Sequence, residues 1–128
     1  MKQSSTPIND YESLSIHTDK EEYDHKDKAI IIIENISDNN VCFSSCYPFY
    51  IQKKDMTWEN FKYGQCLQKD VAETCINPYG KKAFEVSLED MGIASANHRF
   101  VVTACLNCNI GDDFRIDEIF FSNEFKVD

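Results

Sequence analysis

The sequence predicts an all-β fold, an antiparallel β-sandwich of about seven to eight short strands. Three observations carry this expectation. Apolar and polar residues alternate over short stretches, as in YESLSIHT (11–18) and AFEVSL (83–88). Turn-forming residues recur between those stretches. No segment sustains the period of a helix with one buried face.

Residues 1–10 read as a polar tether and residues 11–128 as a single domain. In YESLSIHT, Leu14 and Ile16 share one face, opposite Ser13, Ser15 and His17. The charged run 19–28 reads as a turn, with Tyr23 as an apolar plug. KAIIIIEN follows, and its β-branched isoleucines, stiff at χ1, suit a densely buried strand. After the polar turn 36–40, the stretch 41–51 reads as one long strand. Val41, Phe43, Tyr47, Phe49 and Ile51 would lie on one face, with Cys42 and Cys46 on the other, unless a bulge near Pro48 shifts the register. Residues 53–57 form a hairpin turn and Trp58 opens the return strand.

Residues 62–82, with Gly64, Pro78 and Gly80, read as a long connection. In AFEVSL, Phe84, Val86 and Leu88 point inward. Residues 89–97 have room for one helical turn, and HRFVVTAC is a strand. The C-terminal FRIDEIFFSNEFKV supplies one or two strands, with Phe121, Phe125 and Val127 on one face.

A chain of 128 residues supports one real core without metal or crosslinks. Its nine phenylalanines and six tyrosines exclude a disordered chain. The net charge of −9 opposes nucleic-acid binding, which depends on cations neutralising phosphates, and disfavours an anionic membrane surface. The longest apolar run, Ala29 to Ile33, is far shorter than a membrane span. MKQSSTPIND has no apolar core of a signal peptide. The even count of six cysteines, several in or beside strands, nevertheless suits an oxidising compartment. Together these features lead us to expect the mature part of an exported protein, in the periplasm or at the cell surface. On this expectation a signal has been removed, and Met1 stands where a lipidated cysteine would anchor the tether.

The run IIIIENIS with Asn35, then Cys46, Trp58-Glu59, Cys66 and I-x-P-x-G through Pro78 and Gly80 form an ordered set. It continues with Arg99-Phe100 and ends in S-N-x-F-x-V at Ser122, Asn123 and Phe125. This order resembles the bacterial immunoglobulin-like domains of secreted proteins and lipoproteins. It is also similar to the bacterial proteinase-inhibitor-like domains of that fold. The resemblance spans most of residues 12–127. It departs at SANHRF, where a glycine is usual, and does not account for Cys42, Cys75 or the CLNC segment. It implies a seven-strand sandwich used for binding, adhesion or display, without catalytic residues.

Cys46 and Cys66 flank the hairpin. A bridge between them, supported in part by the resemblance, closes about 20 residues and contributes about 3 kcal/mol in the chain-entropy picture; the alternative is two buried thiols. The pairing of Cys42, Cys75, Cys105 and Cys108 does not follow from sequence. Cys105-Leu106-Asn107-Cys108 has redox spacing but is followed by NIGDDF, which lacks the helix N-terminus that lowers a thiol pKa. A zinc site on Cys42, Cys46, Cys105 and Cys108 is opposed by geometry, because cysteines four apart on a strand sit roughly 13 Å from each other.

No catalytic, cofactor or metal residues are therefore assigned. His17, His25 and His98 show no ligand spacing and read as surface or loop residues. Asp112, Asp113, Asp117 and Glu118 read as a solvated face rather than a calcium loop. Trp58 with Tyr47 and Tyr50 offers a sugar platform, against core packing as the weightier reading. The expected function is non-enzymatic binding of a protein or glycan. The rivals are a proteinase inhibitor using residues 66–82, braced by Cys66 and Cys75, and a thiol enzyme using Cys105 and Cys108.

Overall fold

The computed structural model describes residues 13–60 and 66–128. The expected tether over residues 1–10 lies outside the described residues. The elements run β1 (Leu14–Thr18), β2 (Glu22–Tyr23), β3 (Lys28–Asn35), β4 (Val41–Ser44), β5 (Tyr50–Asp55) and β6 (Thr57–Asn60). They continue with β7 (Ala72–Ile76), β8 (Lys81–Ser87), α1 (Leu88–Met91), β9 (Ala96–Leu106), β10 (Glu118–Phe121) and β11 (Phe125–Val127).

Two sheets form an all-β sandwich. The smaller is β1-β3-β8, antiparallel throughout. The larger is built on the 11-residue β9. One side of β9 carries β10 and β11, and the other carries β4 and β5. β7 extends the sheet beyond β4, and β6 extends it beyond β5. β2 joins the edge by a parallel pairing with β11.

Alternation decides what each strand buries. β1 and β3 send Leu14, Ile16, Ala29, Ile31 and Ile33 into the core. From the facing sheet come Val41, Phe43 and Ile51, then Phe100, Val102 and Ala104. The isoleucine run alternates after all: Ile31 and Ile33 are buried, while Ile30 and Ile32 are only half-buried. The helical turn α1 forms where room for one was expected. The Ser87 hydroxyl accepts from the Asp90 N–H at its start, and Gly92 at φ 64° ends it in a left-handed conformation that glycine adopts without strain.

Several expectations are corrected. Stretch 41–51 is two strands, not one. Pro48 has no N–H to give a ladder, and the intervening backbone turns onto polar side chains instead. The Ser44 hydroxyl accepts the N–H groups of Cys46 and Tyr47 at 3.1 and 3.0 Å, and itself donates to the Asp70 carboxylate at 2.7 Å. The register shift falls between Phe43 and Ser44, not near Pro48. Residues 62–82 are not all connection, since 72–76 form β7. The turn expected over 53–57 is tighter: Lys53–Asp55 belong to β5 and Met56 makes the reversal at φ 60°.

Phe121 is on the outside rather than in line with Phe125 and Val127. The chain breaks at Ser122, whose hydroxyl accepts the Phe100 N–H at 2.9 Å. Asn123 then accepts the Thr18 N–H and donates to its hydroxyl, both at 2.9 Å, so the parity of β10 does not carry into β11.

Tyr23 is the plug expected of it, 2 % exposed and edge-on to Phe125. Its hydroxyl donates to Asp19 at 2.5 Å. Burial and then the Asp19 bond push its pKa up to about 12 from the ordinary 10.0. A raised folded-state pKa means stability that is complete below pH 10 and lost as pH climbs through the folded value. Urea midpoints measured from pH 9 to 11.5 should therefore fall across the upper part of that range. Tyr23→Phe should lose about 1 kcal/mol at pH 7 and flatten the alkaline fall; an equally steep fall in the variant would refute the assignment.

Candidate functional site: the outer face of the larger sheet

The outer face of the larger sheet has two halves, an exposed aromatic–cationic stack and a covered cluster of sulfurs. Both follow from parity. In β9, Phe100, Val102 and Ala104 face the core, so Arg99, Val101, Thr103 and Cys105 face outward. Register sets their neighbours: Gln52 opposite Arg99, Tyr50 opposite Val101, Ile119 opposite Thr103 and Phe121 opposite Val101.

On the open half, the Arg99 guanidinium carbon lies 4.2 Å from the Trp58 ring centroid and 4.0 Å from that of Phe121. It sits between the two rings and donates from Nε to Gln52 at 2.7 Å. A planar cation against π-faces gains about 1–2 kcal/mol where water is partly excluded. Burial draws its pKa down from the usual value, with Glu124 opposing. Lys54 Nζ lies 5.8 Å from the same tryptophan. Beside the stack is a concavity of about 340 Å³ lined by Tyr50, Gln52, Thr103, Ile116, Ile119 and Phe121, among others. Ile116, Ile119 and Phe121 are about half exposed, at 55, 53 and 48 %.

Trp58 is thus a half-buried residue of the outer face, not of the core. The sequence holds a signal for this: KKDMTWEN surrounds the tryptophan with charged and polar residues, as on an edge hairpin rather than a core strand. Arg99, Ile119 and Phe121 were not singled out as site residues, although alternation along HRFVVTAC places Arg99 outward. Tyr47 and Tyr50 lie near each other, with ring centroids 5.8 Å apart.

On the covered half, Cys42 stands directly opposite Cys75 of β7 and Cys105 of β9. Cys42 is joined to Cys75, Cys105 to Cys108, and Cys46 to Cys66, the last with Cα atoms 5.8 Å apart. Cys42, Cys105 and Cys108 are 0–1 % exposed and pack with Ala72, Cys75 and Phe114 into a small second core. The zinc set considered from sequence is not assembled, because Cys46 is bonded to Cys66. Cys105 and Cys108 sulfurs and an Asp117 oxygen do lie within 4.8 Å of one another. Joined sulfurs are not the thiolates a metal needs, and Asp117 accepts from the Leu106 N–H at 2.8 Å and from Arg115 at 3.0 Å.

The candidate inhibitor segment 66–82 is interrupted by β7, and both of its cysteines are bonded into neighbouring strands or turns. His98 is a correction: it is 2 % exposed on the core side of β9, with Nε2 donating to the Ala94 carbonyl at 2.8 Å. His17 is half-buried on β1, and His25 is exposed.

No family model matches the chain, and no curated protein matches it. Over 91 % of its length the chain is similar to part of a β-glucosidase from Listeria innocua, solved in complex with gluconolactone, at 15 % identity and a TM-score of 0.36. It spans 16 % of that chain. A similarity of this size bears on neither fold family nor activity.

Proposed function

We propose that this protein is a non-enzymatic, exported domain of immunoglobulin-like type that binds a protein partner through the outer face of its larger sheet. The observation that carries the reading is the Trp58–Arg99–Phe121 stack beside an open apolar concavity. Tryptophan, tyrosine and arginine are the residue types that dominate binding energy at protein interfaces, and they do so where surrounding contacts of little energy of their own exclude water from them. A glycan platform asks for an uncovered ring face, whereas Arg99 covers Trp58 on one side and Lys54 approaches it.

The immunoglobulin-like assignment is supported by a three-stranded sheet of the first, third and eighth strands facing a larger sheet centred on β9. Four of the positions that carry the sequence resemblance, Asn35, Ser122, Asn123 and Phe125, fix turns or core contacts. Export is supported by the three disulfides, which form and persist in oxidising surroundings.

The test is a binding screen of the folded domain against extracellular proteins, repeated with face variants. Trp58→Ala and Phe121→Ala should each weaken the partner found by about thirtyfold, or about 2 kcal/mol, while Lys126→Ala on β11 leaves it unchanged. A partner indifferent to the two ring deletions, or specific binding on a glycan array alone, would sink the reading.

A further inference from the structure

We propose that Cys75, Cys42, Cys105 and Cys108 form a thiol–disulfide relay, through which a small anionic thiol attacking Cys75 from solvent releases a thiol at Cys108. The relay rests on position. Cys42 is the middle of three in-register cysteines on adjacent strands, so it has a cysteine directly opposite on each side. Directly opposed residues in an antiparallel pair hold their Cβ atoms about 4.5–5.5 Å apart, close to the span of a disulfide. Cys42 can therefore bond to Cys75, as it does, or to Cys105, with little backbone movement. Its sulfur also lies 3.2 Å from the carbonyl oxygen of Cys108.

Access gives the relay its direction. Of the four sulfurs, only that of Cys75 belongs to a residue that is not fully buried. Cys75 lines an open concavity of about 260 Å³ together with Asn77, Gly80, Lys81 and Lys82. Two lysines there favour a thiol that carries carboxylates. Glu34, opposite Lys81 in the sheet, offsets part of that charge. The other end is closed by the segment after β9. Its backbone bonds to the start of β7 through Gly111 N–H to Ala72 O and Ala72 N–H to Asp112 O, both at 2.8 Å.

The exchange balances as two displacements. The external thiolate attacks Cys75 Sγ, the Cys42–Cys75 bond breaks, and a mixed disulfide forms as Cys42 leaves as a thiolate. Cys42 then attacks Cys105 Sγ, the Cys105–Cys108 bond breaks, and Cys108 leaves as a thiolate. The proton lost by the external thiol is regained at Cys108 from solvent. A second thiol of the same kind resolves the adduct on Cys75, giving its own disulfide and a free Cys75. Two thiols are oxidised and one protein disulfide is reduced. The missing helix N-terminus after Cys108, which argues against a thioredoxin-like enzyme, does not bear on this route, because the sulfur attacked from outside is that of Cys75 and not of Cys108.

The test is limited reduction of the native protein with reduced glutathione, acid quenching, alkylation and peptide mapping of each cysteine. The expected first product carries glutathione on Cys75, a Cys42–Cys105 bond and an alkylated Cys108. A glutathione adduct on Cys75 with alkylated Cys42 and an intact Cys105–Cys108 bond would overturn the relay. Cys75→Ala provides an independent arm: its single unpaired thiol should map to Cys108, and finding it on Cys42 would overturn the proposal as well. Lys81→Gln/Lys82→Gln should slow glutathione about threefold or more without slowing 2-mercaptoethanol; an unchanged glutathione rate would refute the anionic preference.

Discussion

Phe100→Ala should lower the unfolding free energy by about 4 kcal/mol, within the range for a deleted core phenylalanine. Phe100 is fully buried at the middle of β9, stacked on Phe125 at 5.1 Å and edge-on to Phe49 at 5.9 Å. Both sheets close over it, so the space it leaves cannot collapse by moving one loop. A domain of this size typically holds about 5–15 kcal/mol in total, so one substitution removes a large share. Urea denaturation with the disulfides intact measures the loss. A change below about 2 kcal/mol would show that the centre of the core lies elsewhere, and Phe100→Leu should cost less than half as much.

Asn35→Ala should cost about 3 kcal/mol, although no apolar contact is at stake. Asn35 is 1 % exposed at the end of β3. Its amide nitrogen donates to the carbonyls of Asn39, Ile76 and Asn77 at 2.7, 2.9 and 3.2 Å. Its oxygen accepts from the N–H and the hydroxyl of Ser37 at 3.0 and 2.7 Å. One side chain thus shapes the β3–β4 turn and ties it to the end of β7. Removing it takes a donor from the buried Ile76 carbonyl and the acceptor from the Ser37 N–H, although Asn77 keeps the Gly80 N–H and Asn39 the Ser37 hydroxyl. Asn35→Asp should be at least as harmful, because a carboxylate cannot donate and sets negative charge against those carbonyls. Thermal melts should show a fall of about 10 °C for Asn35→Ala, and a fall under 3 °C would refute the role.

How much of this was legible in the sequence varies by element. Strands with alternating apolar residues, such as 14–18 and the part of β8 from Ala83 onward, were readable because a one-residue slip would turn their apolar side chains to water, whereas Lys81 and Lys82 at the start of β8 read as part of the preceding connection. β7 was not. AETCI lies at the sheet edge between a turn-rich segment and Pro78, and its buried ends, Ala72 and Ile76, do not alternate with a regular outer face. Phe121 was placed on the wrong side because the Ser122–Asn123 break is held by partners far away in sequence, Phe100 and Thr18. Trp58 was weighed toward the core by residue type, although its charged neighbours pointed outward. For the cysteines, spacing nominated Cys46 with Cys66, but nothing local could reveal that Cys42 stands between two others. That fact belongs to register across three strands distant in the chain.

The parallel β2–β11 pairing also has a mechanical consequence. Lys126 donates its N–H to Glu21 and Asp128 to Tyr23, at 2.8 and 2.9 Å, so the last strand is laced to one of the first. Tension reaching β2 from its N-terminal side and β11 from its C-terminal side drives two parallel neighbours past each other lengthwise. All of their bonds are then loaded together rather than opened one at a time.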